Sequence, residues 1–173
     1  MTIETITGAV TLLGDFISAD AILPARHSFL APEDMAQHVL AEVSAPVNAA
    51  VRARPIIVAG QAFGYGTGRE SPARALRAAG IKAIVGGPFA RVFFRNAINN
   101  GVLVLDCPAL AGCGIGDGDD LTIEVATGAI RWGERTFRAM PVPDIIQSIV
   151  AAGSLIDYGR ALLGAQRSGA VHS

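Results

Sequence analysis

Charged and aromatic side chains are scarce in this chain. Of its 173 residues, 17% are Asp, Glu, Lys or Arg and 6% are aromatic. The formal net charge is −1 and no basic stripe is present, which excludes the electrostatic footprint of a duplex nucleic-acid binder. No apolar run reaches the roughly 20 residues of a membrane-spanning helix, so no membrane partner is expected. The start, Met1-Thr-Ile-Glu-Thr, has no basic segment and no apolar signal core, and reads as a mature cytosolic start with a cytoplasmic location. There are two cysteines, Cys107 and Cys113, not in a Cys-x-x-Cys arrangement and too few to hold an iron–sulfur cluster. They read as ordinary reduced thiols. The three histidines, His27, His38 and His172, do not stand at metal-ligand spacing, so this chain is expected to bind no metal.

Apolar residues and glycine are abundant: 51% of the chain is hydrophobic and there are 20 glycines. That composition supports one domain with a sizeable core. The shortage of charge leaves little polar surface, which points to a face covered by a partner.

Periodicity places the elements. Ala9 to Leu13 and Ala21 to Leu23 read as short strands around a polar stretch, residues 14–20. Pro32-Glu33-Asp34 opens a helix striped by Met35, Val39, Leu40 and Val43. Strands follow at Ile56–Ala59, Ala83–Val85 and Val102–Leu105, with helices at Ser71–Ala79 and Phe89–Asn99 between them. Gly80 and Gly101 stop those helices. This βαβαβ pattern predicts an α/β fold with a small, mainly parallel sheet. Leu121–Val125, Ala129–Trp132 and Thr136–Met140 add further strands. A helix runs from Pro143-Asp144 to Ala152, and a last one from Leu155 to Leu163. The tail, residues 164–173, reads as frayed.

The segment Gly60-Gln-Ala-Phe-Gly-Tyr-Gly-Thr-Gly-Arg69-Glu70 lies where ligands of such sheets sit, beyond a strand's carboxyl end and before a helix. A phosphate-binding loop would need Gly-Lys-Ser/Thr, and Gly68-Arg69-Glu70 stands there instead. A dinucleotide fingerprint needs a third glycine where Arg69 is found, and no clear acid ends the following strand. A site for a small carboxylate fits better. Bare N–H groups around Gly66 and Gly68, the Thr67 hydroxyl and the planar fork of Arg69 supply it. The competing reading is a tight turn whose glycines only permit positive φ, with Arg69-Glu70 a solvated pair.

Three blocks bear on the choice: Asp20-Ala-Ile-Leu-Pro24-Ala-Arg26, Phe63-Gly-Tyr-Gly-Thr-Gly-Arg69-Glu70, and Phe89-Ala-Arg-Val-Phe-Phe-Arg95-Asn-Ala-Ile-Asn99-Asn-Gly101. In order and spacing, from Gly8 to about Tyr158, the chain resembles the small subunit of 3-isopropylmalate dehydratase, the detached swivel domain of the aconitase superfamily. The resemblance implies a single swivel-type β/β/α domain over residues 1–173. It implies a hydro-lyase subunit that is active only with a large subunit carrying a [4Fe–4S] cluster. The reaction would be the reversible dehydration and hydration of a malate-type diacid, by default 3-isopropylmalate in leucine biosynthesis.

The family's loop pattern is Gly-x-Gly-Ser-Ser-Arg-Glu-His. Here Thr67 takes the place of the catalytic serine base, Gly68 the second serine and Ser71 the histidine, while Arg69, the substrate-carboxylate residue, is kept. Asp20 matches an active-site acid, preceded by Ala19 in place of threonine. Arg26 begins the family's specificity loop, where His27-Ser28 replaces Tyr-Leu. These changes leave 2-methylmalate (citraconate), dimethylmalate and homoaconitate-type substrates open, as well as a non-catalytic anion-binding regulatory paralogue. The resemblance therefore implies a base at Thr67 and substrate contacts at Arg69, Gly66, Gly68, Asp20, Arg26, His27 and Ser28. For His27 a plain solvent-exposed loop position competes with that role. Arg91 and Arg95, one helical turn apart, are expected to pair with acids rather than touch substrate.

Overall fold

Three short strands are buried along almost their whole length: β2 (Ile56–Ala59), β3 (Ala83–Gly86) and β4 (Leu103–Asp106), of which only Asp106 is exposed. Continuous apolar runs of this kind belong to parallel strands covered on both faces. In the computed structural model, which describes residues 5–169, they form one half of a seven-stranded sheet in the order β4-β3-β2-β1-β5-β6-β7. The pairs β1–β2, β2–β3 and β3–β4 are parallel, with α4 (Ser71–Ala78) joining β2 to β3 and α5 (Arg91–Asn99) joining β3 to β4. The other half, β5 (Asp120–Glu124), β6 (Ala129–Trp132) and β7 (Arg135–Arg138), is antiparallel, and β5 alternates buried and open side chains as a half-covered strand does.

Strand β1 (Thr5–Leu12) joins the halves. Its first part pairs antiparallel with β5, from Thr5 opposite Glu124 to Ala9 opposite Asp120. Its second part pairs parallel with β2, from Val10 opposite Ile56 to Leu12 opposite Val58. The expected mainly parallel sheet with added strands is thus evenly mixed.

Between β1 and β2 run α1 (Ala19–Ile22), a 3-10 turn at Ala25–His27, α2 (Pro32–His38) and α3 (Ala45–Ala53). A short α6 (Pro108–Ala111) follows β4, and α7 (Asp144–Ala152) and α8 (Leu155–Gly169) close the chain. Helix α2 packs on α4, α5 on α7, and α7 on α8.

Several local expectations are overturned. Ala21–Leu23 is not a strand. Ser18 caps α1, its Oγ accepting from the Ala21 N–H at 3.0 Å, and this local bond outweighs the apolar run. Helix α2 stops at His38, before the end of its predicted stripe. Asn48 Nδ2 donates to the Val39 carbonyl at 2.7 Å and the Leu40 N–H to the Ile22 carbonyl at 2.9 Å, so tertiary bonds take the groups a longer helix would use. Val39 and Leu40 are buried all the same, whereas Val43 is exposed. Helix α3 was not expected, although Ser44, whose Oγ accepts from the Val47 N–H, and Pro46 mark its start. Helix α8 runs to Gly169, past the point where fraying is expected. Gly164 costs about 1 kcal/mol relative to alanine without stopping a helix flanked by good formers. Residues 170–173 of the expected tail lie outside the described residues.

Candidate functional site

The carboxyl ends of β1, β2 and β3 lead into loops stitched to one another by backbone hydrogen bonds. The Phe16 N–H donates to the Gln61 carbonyl, Gly64 to Ile17 at 2.7 Å, Ala19 to Tyr65 at 2.8 Å and Ala62 to Pro88 at 2.8 Å. The glycine segment after β2 lies in the middle of this seam. Gly64 has φ +82°, and a Cβ on it would stand 2.2 Å from Phe93 Cγ, so this position admits no side chain. Gly66, at φ +108°, faces open space, so its backbone conformation alone asks for glycine. Gly68 has no such need, because a Cβ there would meet only Val92 Cγ1, at an ordinary 3.6 Å.

Arg69, half-buried at the start of α4, is the hub. Its Nε donates to Thr67 Oγ1 at 3.3 Å and its Nη1 to Ser28 Oγ at 3.1 Å, while Nη2 pairs with the Asp20 carboxylate. The first turn of α1 presents Asp20. Ser71, buried in the first turn of α4, donates its hydroxyl to Ser28 Oγ at 2.9 Å. Four of the expected residues, Asp20, Ser28, Thr67 and Arg69, therefore meet in one cluster, with Gly66 and Gly68 on its loop. Among the described residues each terminal nitrogen of Arg69 has one partner, which leaves each a second N–H for a ligand oxygen.

Thr67 Oγ1 accepts twice, from Arg69 Nε and from the Arg69 N–H, both at 3.3 Å. Two dipoles and a guanidinium charge aimed at one hydroxyl oxygen favour its ionised form. Such bonds shorten as negative charge develops.

Arg26 and His27 are directed elsewhere. Arg26 pairs with Glu42. His27 stacks on His38, with ring centroids 3.8 Å apart and planes within 4°. Desolvation first, then the neighbouring His38 and Arg26, hold the His27 pKa below its ordinary value. Among the described residues, neither makes a hydrogen bond or ion pair with the Arg69 cluster. The reason is the 3-10 turn, which turns Ser28 towards Arg69 and its two predecessors towards α2 and the loop after it. Arg91 and Arg95 form no ion pair among the described residues, contrary to expectation. Both extend from the exposed face of α5 and line one open cleft with Asp106.

Sequence reasoning missed Asn96 and Asn100. Asn96 Nδ2 donates to the carbonyls of Gly68 and Arg69, both at 3.2 Å. Asn100 Nδ2 donates to Glu70 Oε1 and to the Asn96 carbonyl, both at 2.8 Å. The available signal was Asn96 inside a helix, a residue type that helix interiors disfavour unless the side chain has outside work, with Asn100 four residues on at the C-cap.

Among the described residues, no group of three or more His, Cys, Asp or Glu side chains is placed to hold a metal. Cys107 is buried, and burial pushes its thiol pKa up, the opposite of a ligand or nucleophile. The residues of this chain do not fit an iron–sulfur cluster. No helix among the described residues is long and apolar enough to cross a membrane.

Residues 34–110 match the Aconitase C-terminal domain family. The 3-isopropylmalate dehydratase small subunit of Methanosarcina mazei is 38% identical over 159 residues, covering 90% of this chain and 97% of its own. That of Nautilia profundicola is 36% identical over 163 residues, covering 92% and 97%. The crystal structure of a 3-isopropylmalate dehydratase from Methanocaldococcus jannaschii superposes with a TM-score of 0.81 at 31% identity, over 94% of this chain and 99% of its own. With sequence and fold alike along nearly its whole length, the chain belongs to the 3-isopropylmalate dehydratase small-subunit family of the aconitase superfamily.

Proposed function

We propose that this chain is the substrate-gripping half of a two-subunit hydro-lyase. It would act in the reversible dehydration and hydration of a malate-type diacid, with 3-isopropylmalate, in leucine biosynthesis, as the default substrate. One observation carries the reading: Arg69 is held in place by Asp20, Ser28 and Thr67 while the Thr67 hydroxyl lies under two of its N–H groups. In this reading Arg69 takes a substrate carboxylate with its uncommitted hydrogens. Thr67 Oγ1, as the alkoxide, takes the proton from the carbon next to that carboxylate while the hydroxyl leaves the adjacent carbon as hydroxide, and the reverse direction returns both. The N–H groups around Gly66 and Gly68 complete the carboxylate cradle.

The cluster belongs to the partner in this reading, since the residues here do not fit it. The site face also exposes Phe16, Phe29, Tyr65 and Val92, the kind of apolar rim left when another subunit completes the site.

The test is anaerobic co-expression with a cluster-bearing large subunit, followed by a screen of 3-isopropylmalate and related diacids. Wild-type complex is expected to turn over one of them, and Thr67→Ala to assemble with turnover reduced by about 10²-fold or more, the scale of a lost acid–base group. Unchanged turnover in Thr67→Ala removes the base role. Assembly without turnover on any diacid favours a non-catalytic anion-binding subunit.

A further inference from the structure

The backbone that serves Thr67 is intrinsically loose. Glycines stand on both sides of Thr67, and glycine opposes peptide rotation least of all residues. Yet one peptide of this loop, Gly68–Arg69, has to be oriented, because its N–H is one of the two donors to Thr67 Oγ1. In a planar trans peptide the carbonyl and the N–H point in opposite directions, so whatever holds the carbonyl aims the N–H.

The Gly68 carbonyl is held by Asn96. Its Nδ2 has two hydrogens, and the two acceptors at 3.2 Å are the carbonyls just before and just after the Arg69 Cα. Only the nitrogen end of the carboxamide can face two carbonyl oxygens, so the chemistry dictates its orientation. Asn96 is itself well anchored. It sits in α5 between Phe93, which packs edge-on against Phe63 and fills the space beside Gly64, and Asn100, which binds the Asn96 carbonyl and Glu70.

We propose that Asn96 is the positioning residue for the Thr67 hydroxyl, latching the Gly68–Arg69 peptide so that its N–H faces Thr67 Oγ1. The proposal rests on the base role of Thr67. Asn96 touches no substrate, and it acts on the ionisation of the hydroxyl rather than on the grip of the Arg69 side chain, which Asp20 and Ser28 hold from the other side.

Asn96→Asp tests this in the assembled complex. The variant keeps the shape and puts carboxylate oxygens where two donors stood, which repels both carbonyls. A kcat lower by about 10- to 100-fold is expected, as for a reacting group displaced by a fraction of an ångström, with KM within about twofold. The pH dependence of kcat should also move to higher pH, because the hydroxyl loses a donor that favours its ionised form. Asn96→Ala, which removes the latch without adding charge, should move both readouts in the same direction, and it serves if the aspartate variant does not fold. Wild-type kcat and pH profile in either folded variant overturn the latch, as does a rise in KM alone. Thr67→Ala, run alongside, separates the two readings. If it is inactive while the Asn96 variants behave as wild type, the latch alone fails. If it retains turnover, the base role fails and the latch proposal with it.

Discussion

Arg69 gathers the site because a guanidinium offers donors in several directions from one rigid plane. It spends Nε on Thr67, one hydrogen of Nη1 on Ser28 and one of Nη2 on Asp20. An ammonium is a point charge that cannot meet all three and a ligand as well. Arg69→Lys is therefore expected to cost about 1–3 kcal/mol of transition-state stabilisation, the worth of a charge-assisted hydrogen bond, read as kcat/KM in the assembled complex. Unchanged kinetic constants would make Arg69 a structural residue. At Gly68 the residue scale teaches something different. The fold leaves room for a Cβ there, so neither backbone nor packing requires glycine at this position.

At the scale of elements, the loop after β2 and the helix α5 form one device. The loop brings Thr67 and Arg69 to the sheet's edge, and α5 braces it with Phe93 below and Asn96 and Asn100 beside it. Gly64 is where loop and helix come closest. Gly64→Ala would set a methyl against the Phe93 ring in a left-handed backbone. It should destabilise the chain by about 1–3 kcal/mol through overpacking, and more through backbone strain. Urea unfolding should show a lower midpoint at an unchanged slope. An unchanged midpoint would mean that α5 withdraws from the loop without cost.

At the scale of the whole molecule, the parallel and antiparallel halves meet on β1, and a polar clasp secures the joint. Asp117 accepts from the Leu12 N–H at 3.0 Å and from Arg54 Nη1 at 2.7 Å, and Arg54 also donates to the Val10 carbonyl at 3.0 Å. The hydrogen bond from Arg54, then that from Leu12, lowers the Asp117 pKa below its ordinary 3.8. The folded state thus binds this proton less readily than the unfolded chain. The clasp's contribution is complete above pH 3.8 and is lost as pH falls through the folded-state value. Asp117→Asn should lower stability at neutral pH and flatten the acid limb of a pH–stability curve from thermal melts. A variant with the same acid limb as wild type would show that other carboxylates govern acid unfolding. Because Asp117 is more than half exposed, the effect should be small and weaken with salt.

The alternation of helix and buried strand from Ile56 to Asp106 was legible in the sequence, as was the glycine turn between β2 and α4. Each is a local property, resting on an apolar run, a glycine stop or a residue type at a helix start. Tertiary structure decided the rest. It cut α2 short and split β1 between two sheet directions. It sent Arg26 to Glu42 and His27 to His38 while Ser28 turned to Arg69. It also set Asn96 against the carbonyls of Gly68 and Arg69, residues 28 and 27 positions away, and Asp20 against Arg69, 49 positions away. Side-chain hydrogen bonds over such separations leave no periodic trace along the chain. They arise only when packing brings the carboxyl ends of neighbouring strands together, and that convergence made a candidate site from residues the sequence holds apart.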